Sequence, residues 1–498
     1  MNIVFATASQ LAQMIREQEI SSVEVVNAYL EQIEKYNNKI NAIATLNRDK
    51  ALTRAIEADA AIARGENWGA LHGVPITLKD TFETAELLTT AGYKPLKDRI
   101  PDRDATVVSR LRQGGAIILG KSNLAEMASD FQSTNDLFGR VNNPWNLDCT
   151  AGGSSGGSAA AIAAGFSALD LGNDCSGSTR QPAHFCGVYA LKPTERRLST
   201  AGHIPEAPGM PKCIRQLMTV GSFARSIEDL RLCLSLTAGT DPRQPDVPPV
   251  PLDIAGNKKL SDLTIAVSDS WAKMPPSLEI RQAINLAVDK LKPVCASIEN
   301  WTSPTLDLQS AFQVCNQLTA LNFVYSQPAD FDASKKNLPA MFREATQGDK
   351  ELRDLNNFSH FLPTLLNPNL KQYFEILTRR DRFIAQMDEA LAKVDVWLCP
   401  VAMTLAFSHR PKGEAIKIAG RKVPYFLANG GYTMLFNLTG HPVVVIPIGQ
   451  SKTGLPIGVQ IVGKRWQEMA LLAIAEEIDK VVGNFYNPCL ETTLSNNS

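Results

Sequence analysis

The chain has 498 residues, with 50 Lys and Arg against 51 Asp and Glu and a net charge of −1 at pH 7. That length can bury a large core, and as a soft prior it suits two to four domains. The balanced charge leaves no basic excess for nucleic acid or an anionic membrane, and no run approaches ~18 consecutive apolar residues, so neither a nucleic-acid partner nor a membrane span is expected.

In chain order, Ser22 to Ile33 predicts a helix. Val25, Val26, Tyr29, Leu30 and Ile33 share one face, with Ser22 as N-cap. Lys50 to Ala63 predicts a second, alanine-rich helix. Gly73-Val74-Pro75-Ile76-Thr77-Leu78-Lys79-Asp80 reads as an apolar strand ending in a lysine, where partial burial would lower the amine's pKa. Asp104 to Leu111 starts a third helix, and Gly114 to Gly120 reads as a buried strand between glycine turns. This alternation argues for an α/β protein. Pro144-Trp145 marks a rigid turn in a polar, proline-broken stretch from Asn142 to Thr150.

The stretch from Gly152 to Arg180 carries the chemistry. Gly152-Gly153-Ser154-Ser155-Gly156-Gly157-Ser158 opens it, an alanine-rich run follows, and a second polar turn begins at Gly172-Asn173-Asp174. It closes with Cys175-Ser176-Gly177-Ser178-Thr179-Arg180. Glycine lets a ligand approach the main chain, and successive N–H groups in such turns converge on an anion. Serine supplies a nucleophile that needs a base.

Further on, His184 reads as a structural histidine in an apolar context. Gly202-His203-Ile204-Pro205 and Ala207-Pro208-Gly209 form a turn-rich loop suited to lining a pocket, and Gly221 to Leu230 reads as strand, Ser226 N-cap, helix. Asp241 to Pro251 is a proline-rich, exposed connection. Asp253 to about Leu391 alternates helices, such as Ile280 to Leu291, with polar connections. Val396 to Cys399, Val443 to Pro447 and Gly458 to Val462 read as strands, and Met469 to Lys480 as a helix. The nine cysteines are scattered without a C-x-x-C pair, as in a cytoplasmic protein with reduced thiols. The six histidines show no metal spacing, and neither metal nor cofactor is expected. Met1 to Thr7 lacks the basic flank and apolar run of a signal peptide.

GVPITLKD, then GGSSGGSAAAIAAG, then a version of D-x-G-G-S-x-R together resemble the amidase signature family. The resemblance is specific from about Leu71 to Gly239 and thinner from the N-terminus to Gly463. It implies one amidase domain over residues 1–498, with a signature core at 71–239 and a variable helical pocket region at 253–391. The fold it implies is a single large mixed, mostly parallel sheet with helices on both faces. By the same resemblance Ser178 is the nucleophile, Ser154 follows a cis peptide bond and relays the proton, and Lys79 is the general base. The 24 residues from Ser154 to Ser178 match the family spacing. Substrate-binding and oxyanion roles fall on the main chain of Ala128, Cys175, Ser176, Gly177 and Ser178. Asp174, Arg180 and Ser155 support the turn. Cys315, Phe323, Tyr325, Phe374 and Leu377 are candidate pocket residues, each more simply read as core. The implied activity is hydrolysis of a small-molecule amide through an acyl-enzyme, and a homodimer is left open.

One departure from the family pattern falls on the turn. Ser176 replaces a glycine, and if the position needs φ > 0 the serine adds strain of order 1 kcal/mol. Four rivals stay open. Gly152 to Gly156 matches G-x-S-x-G, although that elbow needs a strand before it. Ser270-Trp271-Ala272-Lys273 and Lys452-Thr453-Gly454 imitate penicillin-binding motifs. A glutaminase subunit of a tRNA-dependent amidotransferase would share the triad, and a non-catalytic relative would keep the fold. Cys175 is a weaker nucleophile candidate, with no histidine near it in sequence.

Overall fold

The computed structural model describes residues 2–204, 214–254, 256, 258–271, 274–301, 307–326, 333–356, 369–483 and 485–495. Eleven strands form one sheet. Reading across it, the strands are Ile43–Leu46, Ile117–Ser122, Pro75–Lys79, Leu169–Asp174, Thr219–Ala224, Tyr189–Lys192, Val443–Gln450, Pro456–Val462, Val396–Pro400, Thr264–Val267 and Ser297–Asn300.

The sheet is mixed, but it is not mostly parallel. Parallel pairing is confined to two blocks. One joins Pro75–Lys79 to its neighbours on either side, and the other joins Thr264–Val267 to its two neighbours. The remaining six pairings are antiparallel. The alternation of strands and helices signals crossovers, but it does not say where short connections return antiparallel strands to the centre. The stretch 253–391, read as helical, also supplies the two strands Thr264–Val267 and Ser297–Asn300.

Local signals set the helix starts. The first predicted helix is Ser22–Ile40, one turn and more beyond its predicted end, and its N-cap is Ser21, not Ser22. Ser21 and Glu24 form a reciprocal capping box. The Ser22 N–H instead donates to Asp59 at 2.6 Å. Ser226 caps Ile227–Thr237 as expected, through the Asp229 N–H. The connection after Asp241 is less exposed than its prolines suggest. Asp241 is buried and accepts from the Thr106 and Ser199 hydroxyls.

The core lies on both sheet faces. On one side a continuous apolar cluster joins the N-terminal helices to the sheet. On the other, Trp397 stacks on Trp301 at 4.4 Å between ring centroids and meets Phe436 edge-on. Strand Val443–Gln450 is buried along its first six residues, as its β-branched run predicts. The short helix Gly156–Ala163 is buried all round, which only glycine, serine, alanine and one isoleucine permit at such close quarters. Among the described residues no helix is long and apolar enough to cross a membrane.

Candidate active site

Register brings the site together. Pro75–Lys79 and Leu169–Asp174 run parallel, with Leu78 opposite Leu171. Their C-terminal ends therefore meet at one sheet edge, and the Lys79 side chain lies beside Asn173. Gly172-Asn173-Asp174, expected as a turn, is the end of this strand, and the turn begins one residue later.

Lys79 is fully buried. Its Nζ lies 2.7 Å from Ser154 Oγ, 2.8 Å from Ser155 Oγ and 2.5 Å from Asn173 Oδ1. Neither nearby aspartate pairs with it. Asp80 faces Lys121, and Asp174 is taken by Arg180. Burial therefore pulls the Lys79 pKa well below the usual lysine value, and Asp170 and Asp174 oppose this only weakly. A neutral amine has two N–H donors and one lone pair. Asn173 Oδ1 can only accept, and the Ser155 hydroxyl is itself aimed at the Asn173 carbonyl at 3.4 Å. The lone pair is left for the Ser154 hydroxyl.

The Gly153–Ser154 peptide bond is cis. Gly153 packs on the backbone of Asp130 to Gln132, where a Cβ would lie 2.6 Å from the Asp130 carbonyl oxygen. The Ser133 hydroxyl ties the loop together. It donates to the Gly152 and Ser154 carbonyls at 2.9 and 3.1 Å and accepts the Gly156 N–H at 2.8 Å. The Ser155 N–H donates to the Ser178 carbonyl at 3.3 Å, which joins the two serine turns.

The second turn is organised by Asp174. Its buried carboxylate accepts the N–H groups of Gly177, Thr179 and Arg180 at 2.8, 3.2 and 3.3 Å. Arg180 grips it with two guanidinium nitrogens at 3.0 and 2.8 Å and spends the rest on Thr433, Gln460 and Asn437. These partners outweigh desolvation and hold the Asp174 pKa well below the carboxylate range. Asp174 and Arg180 thus brace the turn. Gly177, expected among the oxyanion donors, has its N–H committed to Asp174. The N–H groups of Cys175, Ser176 and Ser178 have no partner among the described residues.

Ser176 carries no positive φ, so the anticipated strain is absent. Gly177 takes the left-handed conformation instead, at φ 118°, and a Cβ there would lie 2.3 Å from Thr433 Oγ1. Ala128 has φ 55° beside Met127 at φ 50°, and the Ala125 N–H donates to the Ser154 carbonyl, so this loop borders the site. Burial pushes the Cys175 thiol far up, which makes it a poor nucleophile.

His184 is structural. Nδ1 accepts the Gly458 N–H at 2.8 Å, Nε2 faces the Thr404 carbonyl at 3.2 Å, and burial lowers its pKa to about 4. A strand, Asn146–Thr150, does precede the G-x-S-x-G match, contrary to expectation. It belongs to a separate two-stranded hairpin, and Ser154 meets a lysine where the elbow's serine would meet a histidine. Lys273 of the penicillin-binding look-alike lies outside the described residues. Cys315 is buried against Met434, Leu377 is partly buried in the same apolar cluster, and Phe374 is exposed. The side chains of Phe323 and Tyr325, and the loop from Pro205 through Gly209, also lie outside the described residues. Asn173, Ser133, Thr433 and Asn437 were not anticipated. Only Asn173, one residue before Asp174, carried a local signal.

A buried amine, two serine turns and main-chain N–H groups without a partner among the described residues thus lie together at one sheet edge. The Amidase family model matches residues 24–472, and the chain belongs to the amidase signature family. It is 32% identical to the A subunit of glutamyl-tRNA(Gln) amidotransferase from Carboxydothermus hydrogenoformans over 493 residues, covering 96% of this chain and 98% of that one. A solved fatty acid amide hydrolase superposes with TM-score 0.79 at 25% identity, over 97% of this chain and 86% of that one. A bacterial aryl acylamidase gives 0.81 over 98% of both chains, and at 23% identity it attests the fold alone.

Proposed function

We propose that this protein hydrolyses a carboxamide through an acyl-enzyme on Ser178. Ser178 attacks the carbonyl, whose oxygen takes the N–H groups of Cys175, Ser176 and Ser178. Ser154 accepts the Ser178 proton and passes its own to Lys79. The proton returns through Ser154 to the leaving nitrogen, and water then releases the acid by the same relay. The observation that carries this reading is the fully buried Lys79 amine, 2.7 Å from Ser154 with no carboxylate at ion-pair distance among the described residues.

For the substrate, the relatives favour glutamine, hydrolysed by an amidotransferase glutaminase subunit that passes ammonia to its partners. That support is the match at 32% identity over nearly the whole of both chains. A second reading, an acyl amide with an apolar chain, is favoured by Phe131, Cys315 and Met434, which share one apolar cluster with Cys175 packed against it.

One experiment separates them. Ammonia release from glutamine is measured with and without the other amidotransferase subunits, beside amine release from acyl anilides, for wild type and Ser178→Ala. Glutamine turnover that depends on the partners supports the first substrate, and partner-independent anilide turnover the second. Activity that survives Ser178→Ala overturns the acyl-enzyme on Ser178 and points to another nucleophile, whereas a Ser178 that no fluorophosphonate labels, with neither substrate turned over, leaves a non-catalytic relative.

A further inference from the structure

From Cys149 to Thr194 every residue is buried except Cys175 and Ser176. These two residues alone are partly exposed in this 46-residue stretch, immediately before Gly177 and Ser178. The turn fixes where the Ser176 side chain stands. Its carbonyl accepts the Thr433 hydroxyl at 2.5 Å, and the next residue is held by Asp174 through the Gly177 N–H at 2.8 Å. Gly177 has no side chain and no room for one. Ser176 therefore supplies side-chain bulk beside the N–H groups of Cys175, Ser176 and Ser178, which have no partner among the described residues.

A carbonyl oxygen held by the Ser176 N–H brings its carbon within about 4–5 Å of the Ser176 Cβ, by hydrogen-bond length and covalent geometry. The leaving nitrogen must face Ser154, which protonates it. The remaining substituent, the acyl α-carbon, then points away from Ser154, by the trigonal geometry of the carbonyl carbon.

We propose that Ser176 is a specificity-determining residue that restricts branching at the acyl α-carbon. The proposal rests on the acyl-enzyme reading and names a substrate class within it, amides whose acyl chain is unbranched next to the carbonyl.

The test uses the full chain with p-nitroanilides of butyric, isobutyric and pivalic acid. Wild type should favour the linear acyl group. Ser176→Gly should raise the branched-to-linear ratio of kcat/KM about tenfold, the scale of one methylene-sized fit, whatever it does to the absolute rate. Ser176→Thr should lower the same ratio. A ratio unmoved in both variants, each with a wild-type thermal melt, overturns the proposal. Failure of the underlying reading looks different, because linear turnover then survives Ser178→Ala. Should wild type turn over no anilide, the same ratio is read from rates at which linear and α-branched p-nitrophenyl esters acylate Ser178. An unmoved ratio, or no acylation of Ser178, again overturns it.

Discussion

Two fully buried lysines sit on neighbouring strands, and their surroundings give them opposite characters. Leu78 is in register with Lys121, and Lys79 with Ser122. Alternation along a strand then sends the two amines to opposite faces of the sheet. Lys79 meets two hydroxyls and an amide oxygen. Lys121 reaches the Phe82 carbonyl and the Thr84 and Thr89 hydroxyls, with the Asp80 carboxylate at 3.8 Å. Desolvation lowers both, but opposing carboxylates, Asp80 foremost, halt Lys121 at about 8, whereas Lys79 falls well below its usual range. Burial alone does not make a base. Among the described residues Lys79 has no carboxylate at ion-pair distance, and its pKa falls further for that reason.

The largest effect expected of this contrast is on activity. Lys79→Met should reduce amide turnover by about 10³-fold, the scale of a lost general base. It should not weaken the fold at pH 7. A lysine depressed in the fold binds its proton only when unfolded, between the folded and unfolded pKa values, so stability rises with pH across that window. The variant should therefore match or exceed wild type in denaturant midpoint at pH 7, and any advantage should shrink toward pH 10. An active but destabilised variant would refute the base assignment.

Lys121→Met should do the reverse. It leaves the buried Asp80 carboxylate without its cation and should cost about 3 kcal/mol in urea melts. Adding Asp80→Asn should recover part of that loss. If the single variant melts like wild type, the pair is not holding the loop from Asp80 to Ala91.

Asn173→Asp would break the contrast by giving Lys79 a carboxylate at 2.5 Å. The amine then stays charged at pH 7. Turnover should fall about 10²-fold and recover as pH rises toward 10, on the scale of general acid–base catalysis. A pH–rate profile that falls without moving upward would count against a neutral Lys79.

The smallest effect belongs to Ser155→Ala, which removes one of three partners of the amine. A loss of about tenfold is expected, consistent with one hydrogen bond of roughly 1 kcal/mol in a buried site. A loss as deep as that of Lys79→Met would make Ser155, not Ser154, the relay.

The motif residues were legible because their spacing is local and their chemistry rare. GVPITLKD, the glycine-serine heptad and the Ser154 to Ser178 interval need no tertiary information. The misreadings have physical causes. Ser21 and Ser22 can both cap a helix, and the reciprocal pairing of Ser21 with Glu24, a local signal passed over in the reading, makes Ser21 the cap. Gly172-Asn173-Asp174 is polar like a turn, yet it stays in the ladder because Thr219 to Gly221 pair with it. Ser176 looked strained because a glycine was expected there, but the left-handed φ falls one residue later.

The sequence alone determined most element types, the α/β class and the three residues proposed for the relay. Element types and class follow from periodicity and glycine content, and the relay residues from motifs that resemble the amidase signature, all of which a single strand of text preserves. Only the tertiary structure decided strand order, the partners of Lys79 and the bracing of the turn. Arg180 reaches Thr433, Asn437 and Gln460, residues more than 250 positions away. Register between strands Pro75–Lys79 and Leu169–Asp174 sets Asn173 beside the amine. Whether a buried lysine is neutral depends on which carboxylates lie within a few ångströms of it, and distances across a sheet have no signature in the order of residues along the chain.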